Sequence, residues 1–294
     1  MSLNEYLKQA TDNGWAIGHF NASELDQMRS ILDACKDASS PAMIGTSEGE
    51  SKHLGLAEAV ALRDAFRIKY GIPVFLNADH HKSAEAAIKA IDAGYDSVHI
   101  DLSSFPMEEN IAGTKMVVDY ARQRESRIKN QESRISVEGE LGYLRGESKI
   151  HHEKIEVKPE DYTKVDQAKE FVARTGVDRL AIVIGNIHGI APSHPHLDVQ
   201  RVLDIRRAIP NSVALVLHGG SGIPDGEVEE VIGVGIANVH INTELRVAYV
   251  HGMKRGFELY PNEVSMYKLD QEAIKAMKLV VKEKLKLFGA VNKI

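Results

Sequence analysis

Cysteine is almost absent from this sequence. Cys35 is the one cysteine among 294 residues, which excludes a disulfide framework and a zinc site built from several thiolates. It falls in a stretch with a helical pattern, where we expect it to pack as a small apolar residue. Long apolar runs are missing too, since none approaches the roughly 20 residues of a membrane-spanning helix. The first residues show no signal-peptide pattern, so we expect a cytoplasmic location and no membrane partner.

Positive charge is not in excess either. The 36 lysines and arginines are outnumbered by 42 aspartates and glutamates, which gives a formal net charge of -6. This balance argues against nucleic acid as the main partner, although it leaves room for a local basic pocket that binds phosphate. With 43% hydrophobic and 27% charged residues, the composition is typical of a globular protein with a sizeable core.

The sequence does contain a regular alternation of short apolar runs and amphipathic stretches. The runs predict strands near residues 15–20, 42–45, 74–78, 97–101, 135–140, 180–184, 213–217 and 238–241. The amphipathic stretches predict helices near 23–38, 54–70, 83–93, 107–124, 159–175, 199–208, 225–234 and from 244 onward. Such alternation predicts a parallel sheet. Eight strand–helix pairs without a dinucleotide-binding glycine motif favour an α/β fold, a single (β/α)8 TIM barrel over residues 1–294 with a C-terminal helical extension.

A glycine-rich segment follows the predicted seventh strand. The strand would deliver His218 to its carboxyl end, and Gly219, Gly220 and Gly222 allow the backbone to turn with its N–H groups outward. Such a turn before a helix start forms a cradle for an anion. Taken alone, a Gly-Gly-Ser-Gly segment is also a common turn. The segment therefore indicates a potential metal ligand beside a potential phosphate site.

Polar residues cluster where the other predicted strands end. These residues include Asn77, Asp79, His80, His81, His99, Asp101, Ser103, Glu138, Glu140, His188, Gly189, His240, Asn242 and Thr243. In a barrel all these ends share one rim. Histidines on three strand ends match a catalytic zinc site, with carboxylates available to orient them or to act as a base. A single histidine is more often structural, and we expect His53, His194, His196 and His251 at the surface.

The longest irregular stretch, residues 142–158, follows the predicted fifth strand. It is polar and lies at the end of the barrel where enzymes of this fold place their sites, so we expect a mobile lid. His151 and His152 fall in this lid, and their pattern indicates no particular role.

Together these motifs resemble those of the class II, metal-dependent fructose-bisphosphate and ketose-bisphosphate aldolases. The matching segments are HFN (19–21), TSEG (46–49), DH (79–80), VHID (98–101), VEGELG (137–142), GNIHG (185–189), HGGSG (218–222), INTELR (241–246) and KEKLKLFG (282–289). They span nearly the whole chain in the family's order, and several motifs at once make the resemblance specific.

The resemblance implies a role for each matching residue. His80, His188 and His218 would bind a catalytic Zn2+, and Asp79 would be the catalytic base. Asp101 and Glu140 match a second or alternative divalent-metal site. The ketone-side phosphate would be held by Gly189, Gly219, Ser221, Asn242 and Thr243, with Gly189 and Gly219 also lining a monovalent-cation position. Ser47 matches a serine that contacts the aldehyde half of the substrate.

The chain departs from the family pattern at three places. Ser148 stands where the lid usually carries an acid, and the adjacent Glu147 is the candidate to replace it as general acid. His240 replaces an asparagine that contacts the enediolate, and imidazole can also donate a hydrogen bond there. The usual arginine for the second phosphate is not evident, which leaves Lys268 or Arg145, or a substrate without that phosphate.

We therefore predict a zinc-dependent aldolase that reversibly cleaves fructose 1,6-bisphosphate to dihydroxyacetone phosphate and glyceraldehyde 3-phosphate. The rival chemistry uses a lysine Schiff base, but the predicted strands contain no interior lysine, and residues 180–184 are wholly apolar. Tagatose 1,6-bisphosphate or another phosphorylated ketose, a different reaction on the same barrel, and a non-catalytic metal- or phosphate-binding relative remain alternatives. The resemblance also implies a homodimer or homotetramer.

Overall fold

The computed structural model describes residues 1–126, 134–193 and 195–294. In chain order its strands are β1 (Ile17–Asn21), β2 (Ala42–Ser47), β3 (Val74–His81), β4 (Ser97–Ile100), β5 (Ser136–Leu141), β6 (Gly146–Ile150), β7 (Arg179–Ile182), β8 (His188–Ile190), β9 (Ala214–Leu217) and β10 (Ile236–Ile241). Eight of them form a closed parallel barrel in the order β1-β2-β3-β4-β5-β7-β9-β10, and β10 pairs with β1. The eight barrel strands and the (β/α)8 fold are thus confirmed.

Helices surround the barrel. They are α1 (Leu3–Asn13), α2 (Leu25–Asp37), α3 (Glu48–Leu54), α4 (Leu56–Tyr70), α5 (Ala84–Ala93), α6 (Met107–Ser126), α7 (Val165–Thr175), α8 (Val199–Ala208), α9 (Asp225–Gly233), α10 (Thr243–Leu259), α11 (Met266–Leu269) and α12 (Gln271–Leu287), with a 3-10 turn at Pro159–Asp161. Cys35 is fully buried on α2, as predicted. Within the described ranges, none of these helices has the length and apolar character needed to cross a membrane.

The helices differ from the sequence prediction at four places. The helix expected over 159–175 begins only at Val165, after the 3-10 turn. The prediction lacked α1, although Ser2 and Glu5 form a capping box at its start, a signal that could have revealed it. The helix expected over 54–70 is preceded by a separate helix, α3, because Gly55 takes a φ of 91° between the two. The helix expected from 244 onward is three helices, and Pro261 follows the end of the first of them, α10.

The expected lid loop is partly a strand. β6 pairs in parallel with β8, Gly146 opposite His188, in a two-stranded ribbon outside the barrel. The N–H of His188 donates to the Arg145 carbonyl at 2.7 Å, and the N–H of His151 donates to the Ile190 carbonyl at 2.8 Å. This ribbon, residues 146–150 with 188–190, therefore joins the lid to the segment that carries one of the predicted metal ligands.

Candidate active site

Three of the predicted ligand histidines come together at the carboxyl rim of the barrel. The ring centroids of His80 lie 4.8 Å from His188 and 4.5 Å from His218, and those of His188 and His218 are 6.4 Å apart. The Nε2 atoms of His80 and His188 face each other at 3.2 Å. All three rings line one cavity together with Asp79. The strand-end rule thus placed residues from distant parts of the chain around one point.

The backbone at the end of β3 turns His80 into the site. His80 has a φ of 48°, in the left-handed region that few residues other than glycine adopt. The register between β3 and β4 shifts between Ala78 and His81. The N–H of His80 donates to Nδ1 of His99 at 3.2 Å, and the neighbouring strand therefore holds this strained residue in place.

Carboxylates behind His80 fix its ring. Nδ1 of His80 lies 2.8 Å from Oδ2 of Asp101. An ionised carboxylate can only accept, so Nδ1 donates and a neutral ring keeps its lone pair on Nε2, toward His188. Asp101 also accepts from Ser103 Oγ at 2.7 Å and from the Lys82 ammonium. Burial alone would raise the pKa of Asp101, but the hydrogen bond from His80 and the neighbouring positive charges lower it, so this carboxyl stays ionised.

Glu138 fixes the orientation of the His218 ring. Nε2 of His218 donates to Oε1 of Glu138 at 2.7 Å, which leaves the lone pair of the neutral ring on Nδ1. Burial lowers the pKa of both His188 and His218, and the nearby positive charge of His80 adds to the effect. Neutral imidazole is the form that binds metal ions, so the environment of these two rings suits ligation.

Asp79 is a buried, ionised carboxylate at the edge of the same cavity. Its Oδ2 accepts from the Asn21 amide at 3.0 Å, and its Oδ1 lies 3.3 Å from Nδ1 of His240. Burial raises the pKa of Asp79, but the charge of His80 and the contacts with His240 and His99 outweigh it and hold the pKa well below its usual range. A carboxylate in this state can accept a proton from a neighbouring carbon acid.

The donor groups of the rim suit a divalent metal ion. Asp79, His80, His99 and His218 each offer a ligand atom within 4.8 Å of the others, and so do His80, His99, Asp101 and Glu140. Within the described residues, the buried atoms Asp79 Oδ1 and Glu140 Oε2 have no hydrogen-bond partner, a condition that a bound cation would relieve. Imidazole and carboxylate donors together match Zn2+ and related ions. The sequence prediction gave His99 no role, although its place near the carboxyl end of β4 was evident in the sequence.

The predicted phosphate cradle lies beside these rings. Gly219 has a φ of 64° and approaches the carbonyl of Ile187 so closely that a Cβ would lie 2.0 Å from it. Two of the N–H groups are already used, since Gly220 donates to the His240 carbonyl at 3.0 Å and Gly222 donates to Glu244 at 2.7 Å. The predicted phosphate-binding residues that line the cavity are Gly189, Gly219, Ser221, Asn242 and Thr243, with His240 among them.

Other predicted site residues lie outside the cavity lining. Ser47 caps α3, where its Oγ accepts from the N–H of Glu50 at 3.4 Å. Glu147 is exposed, and its carboxylate pairs with Lys149 at 2.7 Å. The hydrogen bond from Lys149 lowers the pKa of Glu147, whereas a general acid needs a raised one, so this arrangement does not support the expected role. Ser148, its neighbour, does line the cavity.

The cationic side chain that contacts the cavity lining is neither of the two that the sequence suggested. Arg145 pairs with Asp161 at 2.5 Å, and Lys268 pairs with Glu263 at 2.7 Å. Arg246 instead donates to the carbonyl of cavity-lining Ser148 at 3.2 Å. It lies one helical turn beyond Thr243 on α10, and that spacing could have revealed it.

The remaining histidines agree with their predicted exposure. His53, His196 and His251 are exposed, whereas His194 lies outside the described residues. In the lid, Nε2 of His151 contacts the carbonyls of Glu147 and His188 at 3.0 and 3.1 Å.

Comparison with known proteins agrees with this geometry. The family described as fructose-bisphosphate aldolase class-II matches residues 1–293, so the chain belongs to the class II fructose-bisphosphate aldolase family. The YdjI aldolase from Escherichia coli K12 is 34% identical, with a TM-score of 0.82 over 99% of this chain and 98% of that one. A fructose-bisphosphate aldolase from Campylobacter jejuni is 18% identical, with a TM-score of 0.81 over 100% and 97% of the two chains, which shows the shared fold.

Proposed function

We propose that this protein is a zinc-dependent aldolase that reversibly cleaves fructose 1,6-bisphosphate to dihydroxyacetone phosphate and glyceraldehyde 3-phosphate. The observation that carries the proposal is the meeting of three imidazoles, an ionised Asp79 and a glycine–serine turn around one cavity. Membership of the class II family supports a carbon–carbon lyase. The reaction needs these three parts because it leaves negative charge on an enediolate, moves a proton and anchors a phosphate.

In this proposal His80, His188 and His218 hold the zinc ion. Such an ion would supply Lewis-acid stabilisation of the negative charge that carbon–carbon cleavage produces. Asp101 and Glu140 are the candidates for a second divalent ion, and Gly189 and Gly219 for a monovalent cation. The lysine route has no support, because the buried lysine of the described residues, Lys284, lies on α12 and pairs with Glu244 at 2.9 Å.

The chain's own residues perform the remaining steps. Asp79 takes the proton from the triose-phosphate carbon, and the Asn21 amide keeps its Oδ2 in place. His240 lies at 3.3 Å from Asp79 and faces the enediolate in place of the family's asparagine. Gly219 and Ser221 bind the ketone-side phosphate, so that binding energy far from the reacting carbons orients them.

The second phosphate decides between fructose 1,6-bisphosphate and another phosphorylated ketose. Arg246 is the candidate to bind it at the mouth, because it contacts cavity-lining Ser148, whereas Arg145 and Lys268 pair with Asp161 and Glu263. Arg246 also pairs with Glu50 at 2.5 Å, which a second phosphate would have to displace. That competition favours a ketose with a less charged distal end as the second candidate. Tagatose 1,6-bisphosphate differs from the fructose substrate at one hydroxyl and is the third.

A turnover assay with and without a chelator tests the proposal. We expect cleavage of fructose 1,6-bisphosphate by the purified protein, loss of cleavage with EDTA, and recovery with Zn2+. Tagatose 1,6-bisphosphate and a ketose 1-phosphate serve as comparison substrates. Turnover that survives metal removal would contradict the metal route, and higher kcat/KM for a comparison substrate would replace the substrate but keep the reaction.

Asp79→Ala separates an aldolase from a non-catalytic binder. We expect this variant to keep its zinc while kcat falls by about 10²–10⁴-fold, the usual contribution of a positioned general base. The exposed pair partner Asp119→Ala is the control and should match the wild type. A wild type without turnover on any of the sugars would favour a non-catalytic binding protein.

We further propose that the protein is a cytoplasmic homodimer or homotetramer. Light scattering of the purified protein measures its molar mass and so tests the oligomeric state.

A further inference from the structure

A guanidinium group lies inside the barrel, beneath the cavity. Arg179 is the first residue of β7 and is 0% exposed. It contacts side chains from four other strands: Glu138 at 2.6 Å, Asn238 at 3.0 Å, Asn77 at 2.9 Å, and Ser97. The predicted strand at 180–184 is indeed apolar, but the observed strand begins one residue earlier, with this arginine.

A gain in folding stability is a weak explanation for a buried arginine at this position. Removing a charge from water has a large energetic cost, and a buried ion pair is often no better than apolar residues of the same volume. Arg179 and Glu138 are both fully buried, so their attraction mainly offsets that cost. Since the guanidinium presents a planar set of donors, it is suited instead to fixing several acceptors at once.

The first contact of Arg179, an ion pair with Glu138, leads to a proposed metal ligand. Arg179 Nη1 lies against Oε2 of Glu138, and Oε1 of Glu138 accepts from Nε2 of His218 at 2.7 Å. The arginine thereby holds the carboxylate that keeps the His218 proton on Nε2 and its lone pair on Nδ1. Groups that orient a ligand in this way typically change metal affinity when they are removed.

The second contact leads to His240. Asn238 Oδ1 accepts from Arg179 Nη1, while its amide nitrogen donates to the carbonyl of Ile17 at 2.9 Å. The amide orientation is thus fixed, and it holds Oδ1 of Asn238 at 3.2 Å from Nε2 of His240. Nδ1 of His240 then faces Asp79.

The third contact leads to the ring beneath His240. Asn77 Oδ1 accepts from Arg179 Nη2 and from Ser97 Oγ at 2.6 Å, so the Asn77 amide nitrogen donates to Nε2 of His19 at 3.1 Å. His19 in turn stacks on His240, with centroids 3.6 Å apart and planes at 11°.

We propose that Arg179 is a positioning residue that fixes the ring orientation and tautomer of His218, through Glu138, and the ring orientation of His240, through Asn238 and Asn77. It touches neither substrate nor metal. The inference rests on the proposed aldolase function, and it adds that one buried cation beneath the barrel rim aligns both the metal ligand and the histidine beside the catalytic base.

Two substitutions and one control test this. Arg179→Met should weaken Zn2+ binding, measured on the metal-stripped protein by competition with a chromophoric chelator, by about 10–100-fold. It should also lower kcat with zinc at saturation. Arg179→Lys can still pair with Glu138 but cannot reach both asparagines, so zinc affinity should recover more than kcat does. Arg63→Met removes another buried guanidinium, paired with Asp96 at 2.9 Å, and controls for lost stability alone.

The possible results distinguish failure of the positioning role of Arg179 from failure of the proposed aldolase function. Zinc affinity and saturated kcat within about twofold of the wild type in Arg179→Met, or an equal loss in Arg63→Met, would overturn the positioning role while wild-type turnover stands. If Arg179→Met does not fold, as judged by circular dichroism, Arg179→Lys decides: unchanged kcat and zinc affinity overturn the inference, and a selective loss of kcat supports it. A wild type that neither binds zinc nor cleaves a sugar phosphate would instead remove the proposed function.

Discussion

His19 and His240 form a parallel pair of imidazole rings in the interior of the barrel. Two cationic rings at 3.6 Å would repel each other, and both rings are buried. Burial lowers the pKa of His19 to about 3, even though Asp79 and Glu138 act in the opposite direction. Burial also lowers the pKa of His240 well below its usual range. The folded protein therefore holds both rings neutral at ordinary pH, which links its stability to proton concentration.

We expect the metal-free protein to lose stability as the pH falls from 6.5 toward 5. The unfolded chain binds a proton at His19 with the ordinary pKa of 6.5, whereas the folded chain does so only near pH 3. Between these values the unfolded state binds more protons, so acid favours it. Replacing His19 with Gln should reduce the slope of the unfolding free energy by up to about 1.4 kcal/mol per pH unit near pH 5.

Urea unfolding at pH 7.5, 6.5, 5.5 and 5.0 measures that slope. His53→Gln, at an exposed histidine, is the matched control and should leave the slope unchanged. His80 and His99 have raised pKa values, so their contribution changes above pH 6.5 rather than below it. Equal slopes for His19→Gln and the wild type would show that His19 is protonated in the folded state.

The residues of the site differ in how readily the sequence predicts them. Asp79, His80 and His218 follow apolar runs and His188 comes a few residues after one, and parallel strands bring such ends together. Arg179 precedes its apolar run, where a charged residue ordinarily belongs to a solvated loop. Its burial depends on partners from four other strands, and contacts with distant strands cannot be predicted from the residue pattern of one segment.

At the scale of elements, the ribbon of residues 146–150 and 188–190 couples the lid to the metal site. Gly189 makes this pairing possible, because its φ is 91° and a Cβ there would lie 2.4 Å from the carbonyl oxygens of both Glu147 and Lys149. The two strands can only approach where that position has no side chain. His188 is the neighbouring residue, so separation of the ribbon displaces it.

Gly189→Ala should therefore lower kcat/KM by about tenfold or more, since strain of about 1–2 kcal/mol in the left-handed region adds to the contact with two carbonyls. Limited proteolysis should cut residues 142–158 faster in the variant. Gly226→Ala on α9, where a Cβ meets nothing within 4 Å, is the control and should preserve both properties. Wild-type kinetics with unchanged proteolysis would mean that the ribbon does not position His188.

The barrel elements were predictable and the ribbon was not. Most barrel strands contain a short apolar run and are buried on both faces, and such runs can be predicted from the local sequence. β6 is the polar segment Gly-Glu-Ser-Lys-Ile, largely exposed, and it extends only because β8, far along the chain, offers a partner. Non-local pairing of this kind leaves no periodic signal within the segment itself.

For the whole molecule, the proposed ligands tie together parts of the barrel that are far apart in sequence. His80 is the penultimate residue of β3, His188 begins β8 and His218 follows β9. An ion bound by all three stabilises the folded state alone, because the unfolded chain does not hold them together. Stability should therefore rise with free zinc concentration.

We expect saturating zinc to raise the unfolding free energy by about 2.7 kcal/mol when its free concentration is about 100 times its Kd. Urea unfolding with buffered zinc, against the same protein in EDTA, measures the difference. His188→Ala should abolish most of this gain, whereas His196→Ala, at an exposed histidine, should retain it. A gain that is equal in both variants would place zinc elsewhere.

Closure of the barrel by its first and last strands has a consequence for synthesis. The edge of β1 is covered only by β10, and the backbone N–H of Ala16 donates to the carbonyl of Phe288, near the C-terminus. During synthesis β1 therefore emerges from the ribosome long before β10, and until then one of its edges has no strand to pair with. The barrel therefore closes only after residues 236–241 have been made, so the rim that gathers His80, His188 and His218 is completed late in synthesis.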